Sequence, residues 1–132
     1  MELSAVIQRA MQIRKSYAQL EQQRYGRSWS REEVALGFVG DVGDLVKLVM
    51  AQSGVRAIAD SRAKLAHELA DCLWSVCVLA ELYQIDLERA FLDTMVELER
   101  NIRAELALAP QTERAGAEPR EAPQCETISS QL

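Results

Sequence analysis

Through most of this chain apolar residues recur at intervals of three and four, the period of an amphipathic α-helix rather than the alternation of a half-buried strand. Val6, Ile7, Ala10, Ile13, Tyr17 and Leu20 share one side of a helix predicted from Leu3 to about Gln23, and Gly26 in "RYGRS" stops it. A second helix is predicted from about Trp29 to Gln52. Ser28 or Ser30 is placed to cap it, since "SREE" sets Glu33 three residues after Ser30 in capping-box spacing, and its end contains "QSG", with Gly54 at a C-terminal position. A third runs from about Ile58 to Tyr83. A fourth runs from Leu87 to about Ala109, after "YQID", where Asp86 is placed to cap it. No alternating segment bounded by turn residues interrupts these helices, so the predicted class is all-α, a four-helix antiparallel bundle.

From Cys72 to Leu82 the third helix has almost no polar face, and a helix apolar all round is buried on every side. Four helices alone rarely hide one so fully. The pattern therefore implies oligomerisation through apolar helices, as a homodimer or homotetramer. Beyond residue 109 the periodicity ends: Pro110, Pro119 and Pro123 are the only prolines, and the composition turns polar and small. The chain thus divides into a helical domain, residues 1–109, and a polar, Pro-containing flexible tail, residues 110–132.

Composition narrows the function. With 132 residues, 48% of them hydrophobic and 27% charged, the chain is expected to form one globular domain. A net charge of −5 argues against nucleic acid as a partner, because phosphate backbones are held by Lys and Arg. If a polyanion is handled here, a divalent cation has to supply the positive charge. The N-terminus lacks the marks of a secretory signal, and the longest uncharged apolar stretch, Cys72 to Ala80, is too short to span a bilayer. No membrane role is expected. Cys72, Cys77 and Cys125 are odd in number and form no CxxC pair, which suits a reducing, cytoplasmic setting.

One segment resists the helical pattern it belongs to. In "FVGDVGDLVKLV", Val39, Val42, Val46 and Val49 keep helical spacing, yet Gly40, Asp41, Gly43 and Asp44 are interleaved with them. Each mid-helix glycine costs about 1 kcal/mol relative to alanine. Asp41 and Asp44 share a face and flank Leu48, while Glu68 and Asp71 have the same i, i+3 spacing on the third helix. Four carboxylates from two helices are therefore expected to point inward, where like charges need a neutralising partner. An all-oxygen donor set suits Mg²⁺, or Mn²⁺. A solvated acidic face is the bland explanation for either pair alone. The glycines argue against it, since small residues leave room for a helix or a bound group to approach the backbone.

"LGFVGDVGDLVKLV" followed by "AHELADCLWSVCVLAELYQIDLERAFLDTMVELERNI" resembles the MazG-like, all-α nucleoside triphosphate pyrophosphohydrolase superfamily. That family's pattern is ExxE, a spacer, then ExxD continuing into a "gidLe.A"-like stretch. Here Asp41 and Asp44 occupy the ExxE positions, 23 residues intervene, and Glu68 and Asp71 form ExxD. The resemblance covers about Leu3 to Ile102. It implies an enzyme that binds Mg²⁺ through Asp41, Asp44, Glu68 and Asp71 as metal and catalytic residues. Such an enzyme hydrolyses a (d)NTP to the (d)NMP and pyrophosphate, a reaction that suits cleansing of the nucleotide pool, and is often dimeric.

The chain departs from the pattern in two ways. ExxE has become DxxD, one methylene shorter at each carboxylate, and Thr94 and Leu98 stand where relatives often carry a lysine and an asparagine that reach phosphate. Arg100 remains where an arginine is common. Lys47 is a candidate phosphate contact, although an i, i+3 surface pair with Asp44 is the commoner explanation of such a lysine. Trp29 and Trp74 are candidate base-stacking residues, with core or interface packing as the alternative for each. His67, the single histidine, has no Cys or His partner and reads as a peripheral helix residue. Two readings stay open: the pyrophosphohydrolase, and a catalytically degenerate relative acting as a nucleotide- or metal-binding or dimeric scaffolding or regulatory module.

Overall fold

The computed structural model describes residues 2–108. It is all-α, with four helices in the order α1 (Leu3–Tyr25), α2 (Arg31–Gln52), α3 (Ser61–Leu82) and α4 (Leu87–Leu108). Among the described residues there is no strand, and no helix long and apolar enough to cross a membrane. The expected tail, with Cys125, lies outside the described residues. Residues up to Met95 form one compact unit, and those from Val96 onward belong to a second.

Local signals place the helix ends. Gly26 takes the left-handed conformation, φ 73°, and closes α1 through its N–H to Gln22 O. Ser30 caps α2: its hydroxyl accepts from Glu33 N, and the Glu33 carboxylate accepts from Ser30 N at 2.8 Å, completing the capping box. Trp29, expected as the start of this helix, lies two residues before it. The third helix starts at Ser61 and not near Ile58, because Asp60 adopts a left-handed φ of 54°, which a continuing α-helix excludes. Asp86 caps α4 as expected, its carboxylate accepting from Arg89 N at 3.0 Å.

Helix α3 is the spine of the first unit. α2 packs along it and α1 packs on it as well. The α2–α3 pair is antiparallel: Gln52 Nε2 donates to Ser61 Oγ near the connecting turn, and farther along Ser75 Oγ donates to Asp41 Oδ2. Arg31, at the start of α2, lies 5.2 Å over the Tyr83 ring just past the end of α3. α1 is tied to α3 by Trp74 Nε1, which donates to Ala10 O. The core is Ala10, Val34, Cys77 and Val78, with Trp74, Leu79, Leu82 and Leu87 packed around it.

On α2, Val39, Val42, Val46 and Val49 are exposed, and the buried positions are Val34 and Leu48. Among the described residues α3 is not covered on every side. Cys77 and Val78 are fully buried, whereas Leu69 and Leu73 stay about half exposed. α4 has no buried residue.

Candidate functional site

The four acids occupy the facing sides of α2 and α3, on the rims of two clefts. Asp41 and Asp71 line a cleft of about 350 Å³ together with Tyr17, Trp29 and Trp74. Asp44 and Glu68 line a more open cleft of about 460 Å³ with Lys47, Lys64 and His67. The carboxylates are thus partly solvated and not sunk in the interior as expected. Each of three has a polar neighbour: Asp41 accepts from Ser75 Oγ at 3.2 Å, Asp44 pairs with Lys47 Nζ at 2.7 Å, and Asp71 lies 3.1 Å from His67 Nε2. Among the described residues no three His, Cys, Asp or Glu side chains stand close enough to grip a metal ion as arranged.

Three of the acids nevertheless share one negative region around Cys72. Burial pushes the Cys72 thiol up from its ordinary value, and the negative fields of Asp41, Glu68 and Asp71 push it further in the same direction. A thiol on α3 that feels one acid of α2 and two of its own helix marks a shared negative region. Helical periodicity produces it, since residues 68, 71, 72 and 75 fall on adjoining sides of α3.

The first cleft is also lined from α1, by Tyr17 and Leu20 among others. Tyr17 and Trp74 stack at 5.7 Å between centroids with a 58° tilt. Trp29 is about half exposed, and its ring edge comes within 3.4 Å of where a Cβ on Gly37 would lie. Its backbone is held from beneath. Glu21 Oε2 accepts from Trp29 N at 2.8 Å, and Arg14 Nη2 donates to Trp29 O at 3.3 Å. Arg14 and Glu21 are themselves joined by three hydrogen bonds of 2.9–3.2 Å, and each is only 7% exposed.

Sequence reasoning missed this clamp. Its one signal was that Ala10, Arg14, Tyr17 and Glu21 follow each other at four, three and four residues, placing two charges within an apolar seam. Of the residues it did single out, Asp41, Asp71, Trp29 and Trp74 share the first cleft, and Asp44, Lys47 and Glu68 share the second. Lys47 forms the surface pair with Asp44 that was its alternative explanation. Arg100 belongs to the second unit. A Cβ on Gly40 or Gly43, which were expected to admit a neighbour, would meet nothing within 4 Å among the described residues; the described glycine with a close neighbour is Gly37, against Trp29.

The site as a whole is a set of paired acids on two antiparallel helices beside an aromatic cleft. Residues 31–106 match the MazG nucleotide pyrophosphohydrolase domain, and the chain belongs to that family. No curated protein and no solved structure matched the chain.

Proposed function

We propose that the chain is a Mg²⁺-dependent nucleoside triphosphate pyrophosphohydrolase of the cytoplasm, converting (d)NTP to (d)NMP and pyrophosphate. The observation that carries this reading is the pair of acid motifs, Asp41/Asp44 and Glu68/Asp71, on the facing sides of α2 and α3 at the edge of an aromatic cleft. The donor set is all oxygen and fits Mg²⁺, or Mn²⁺, with these four residues as the holders. When bound, the cation offsets phosphate charge and makes an attacking water more acidic.

The chain's own groups supply the rest. Ser75 fixes one oxygen of Asp41 by hydrogen bonding and leaves the other to a ligand. Trp29 and Trp74, with Tyr17, offer faces on which a base can stack. Lys47 stands beside Asp44 as a cation for the phosphates, and Arg100 is the candidate on α4. The substrate is a nucleoside triphosphate, nucleic acid and membranes are not partners, and the working form is a homodimer or homotetramer.

A second reading, a degenerate nucleotide- or metal-binding or scaffolding module, is favoured by one observation. Thr94, where a lysine would be usual, spends its hydroxyl on Ala90 O at 2.7 Å within its own helix. The test is pyrophosphate release from a panel of (d)NTPs with Mg²⁺, Mn²⁺ or EDTA. Groups that merely orient a metal ligand are worth ~10–100-fold, so removing a ligand with Glu68→Gln should cost more than ~100-fold. Folded protein that releases no pyrophosphate from any (d)NTP would sink the enzymatic reading and leave the degenerate one.

A further inference from the structure

The three rings Tyr17, Trp29 and Trp74 of the first cleft are held in different ways. Tyr17 and Trp74 stack on each other, and the Trp74 indole donates to Ala10 O at 3.2 Å. Trp29 lies in the connection between α1 and α2, pairs with no other aromatic ring among the described residues, and is 45% exposed. A large side chain so placed is ordinarily free to swing. Here its backbone is fixed on both sides: its N–H donates to Glu21 Oε2 at 2.8 Å, and its C=O accepts from Arg14 Nη2 at 3.3 Å. A residue has only two soft backbone dihedrals, so tying its donor and its acceptor sets the direction of its Cα–Cβ bond.

The ring then rests against Gly37 of α2. A Cβ at this position would stand 3.4 Å from the Trp29 ring and would meet nothing else within 4 Å among the described residues. A mid-helix glycine weakens its helix, and one use of it is to admit a close neighbour. At Gly37 that neighbour is the indole.

Stability alone does not account for the ion pair. Apolar groups of the same volume are often as stabilising as a buried pair, or more so, and Arg14 and Glu21 are each only 7% exposed. Nor does the pair hide Trp29, which stays half in solvent. What it supplies is direction. Joined by three hydrogen bonds of 2.9–3.2 Å, the two side chains present one acceptor and one donor at fixed places, which apolar residues filling the same space could not do.

We infer, resting on the nucleotide reading above for the identity of the ligand's ring, that Arg14, Glu21 and Gly37 are positioning residues that act through Trp29. They hold its indole at the cleft as a preformed platform for a nucleobase. Because the platform is ordered before the ligand arrives, binding does not have to order it. The three residues thus govern affinity for the base and leave affinity for the phosphates to the groups around the acids.

The experiment is titration calorimetry on the full chain with Mg²⁺ and two kinds of probe. One is a panel of α,β-methylene (d)NTPs, which cannot be cut between the α- and β-phosphates; the other is inorganic triphosphate, which has no base. Wild type is compared with Arg14→Met/Glu21→Leu and with Gly37→Leu, and far-UV circular dichroism is the folding control. Each folded variant should bind the nucleotide analogues roughly tenfold or more weakly, the scale of one lost stacking contact, and bind inorganic triphosphate as wild type does. The two variants disturb Trp29 from different sides, so one suffices if the other misfolds. Equal losses for nucleotide and triphosphate would reduce the three residues to a structural role and overturn the inference. So would unchanged nucleotide affinity in either folded variant, or a wild type that binds nucleotides no more tightly than triphosphate. Binding is read without turnover, so a wild type that favours nucleotides over triphosphate yet releases no pyrophosphate from any (d)NTP rejects the enzymatic reading and leaves the platform intact.

Discussion

A carboxylate as enclosed as that of Glu21 stays charged only if its lone pairs are filled, and here they are filled by Arg14 and by the Trp29 N–H. Removing one charge of such a pair leaves the other uncompensated, at about 3–5 kcal/mol. Glu21→Ala should therefore lower the urea midpoint sharply. Arg14→Met combined with Glu21→Leu should recover most of the loss, since replacing both charges with apolar groups of similar size is close to neutral. If Glu21→Ala were as stable as wild type, the pair would not be holding the α1–α2 connection. Apart from their place in the apolar seam, nothing in a single sequence distinguishes these charges from the solvated ones around them. Arg9, Lys15 and Arg24 look the same on paper, and only the docking of α1 on α3 decides which are enclosed.

Helix ends were the most legible part of the fold, because the chemistry that sets them is local. "SREE" announced the capping box, Gly26 the left-handed stop, and Asp86 the cap of α4; the start of α3 was missed because aspartate at a left-handed φ is a conformational choice that composition does not encode. The cap of α2 also yields a pH prediction. Arg27, bonded twice at 2.7 Å, and the Ser30 N–H hold the Glu33 carboxyl down from 4.5 to about 2. The folded state thus takes up this proton less readily than the unfolded chain. Its contribution to stability is complete above about pH 4.5 and is lost as pH falls toward 2. Glu33→Gln should flatten that part of a melting-temperature profile, and an unchanged acid limb would contradict the assignment. Ser30→Ala should cost about 1 kcal/mol at neutral pH.

At the scale of the whole molecule, periodicity found the four helices and put Asp41 on the side of α2 that meets α3, but it did not show that the valine stripe would lie exposed. The acidic side should be metastable without a counter-ion. Adding Mg²⁺ at 100 times its dissociation constant should stabilise the wild type by about 2.7 kcal/mol, read as a rise in melting temperature. Asp41→Asn or Glu68→Gln should largely abolish that rise, and an equal rise in all three proteins would mean that the cation binds elsewhere.

The turn between α2 and α3 has a kinetic consequence. Both acid motifs lie on one helical hairpin, whose closure joins residues close in sequence, whereas α1 docks through contacts such as Trp74 to Ala10, 64 residues apart. Local contacts form early and distant ones late. The hairpin, with its carboxylates and Trp74, should therefore assemble first, and Tyr17 on α1 should reach Trp74 last. The acid-bearing hairpin would then stand folded before the cleft beside it closed.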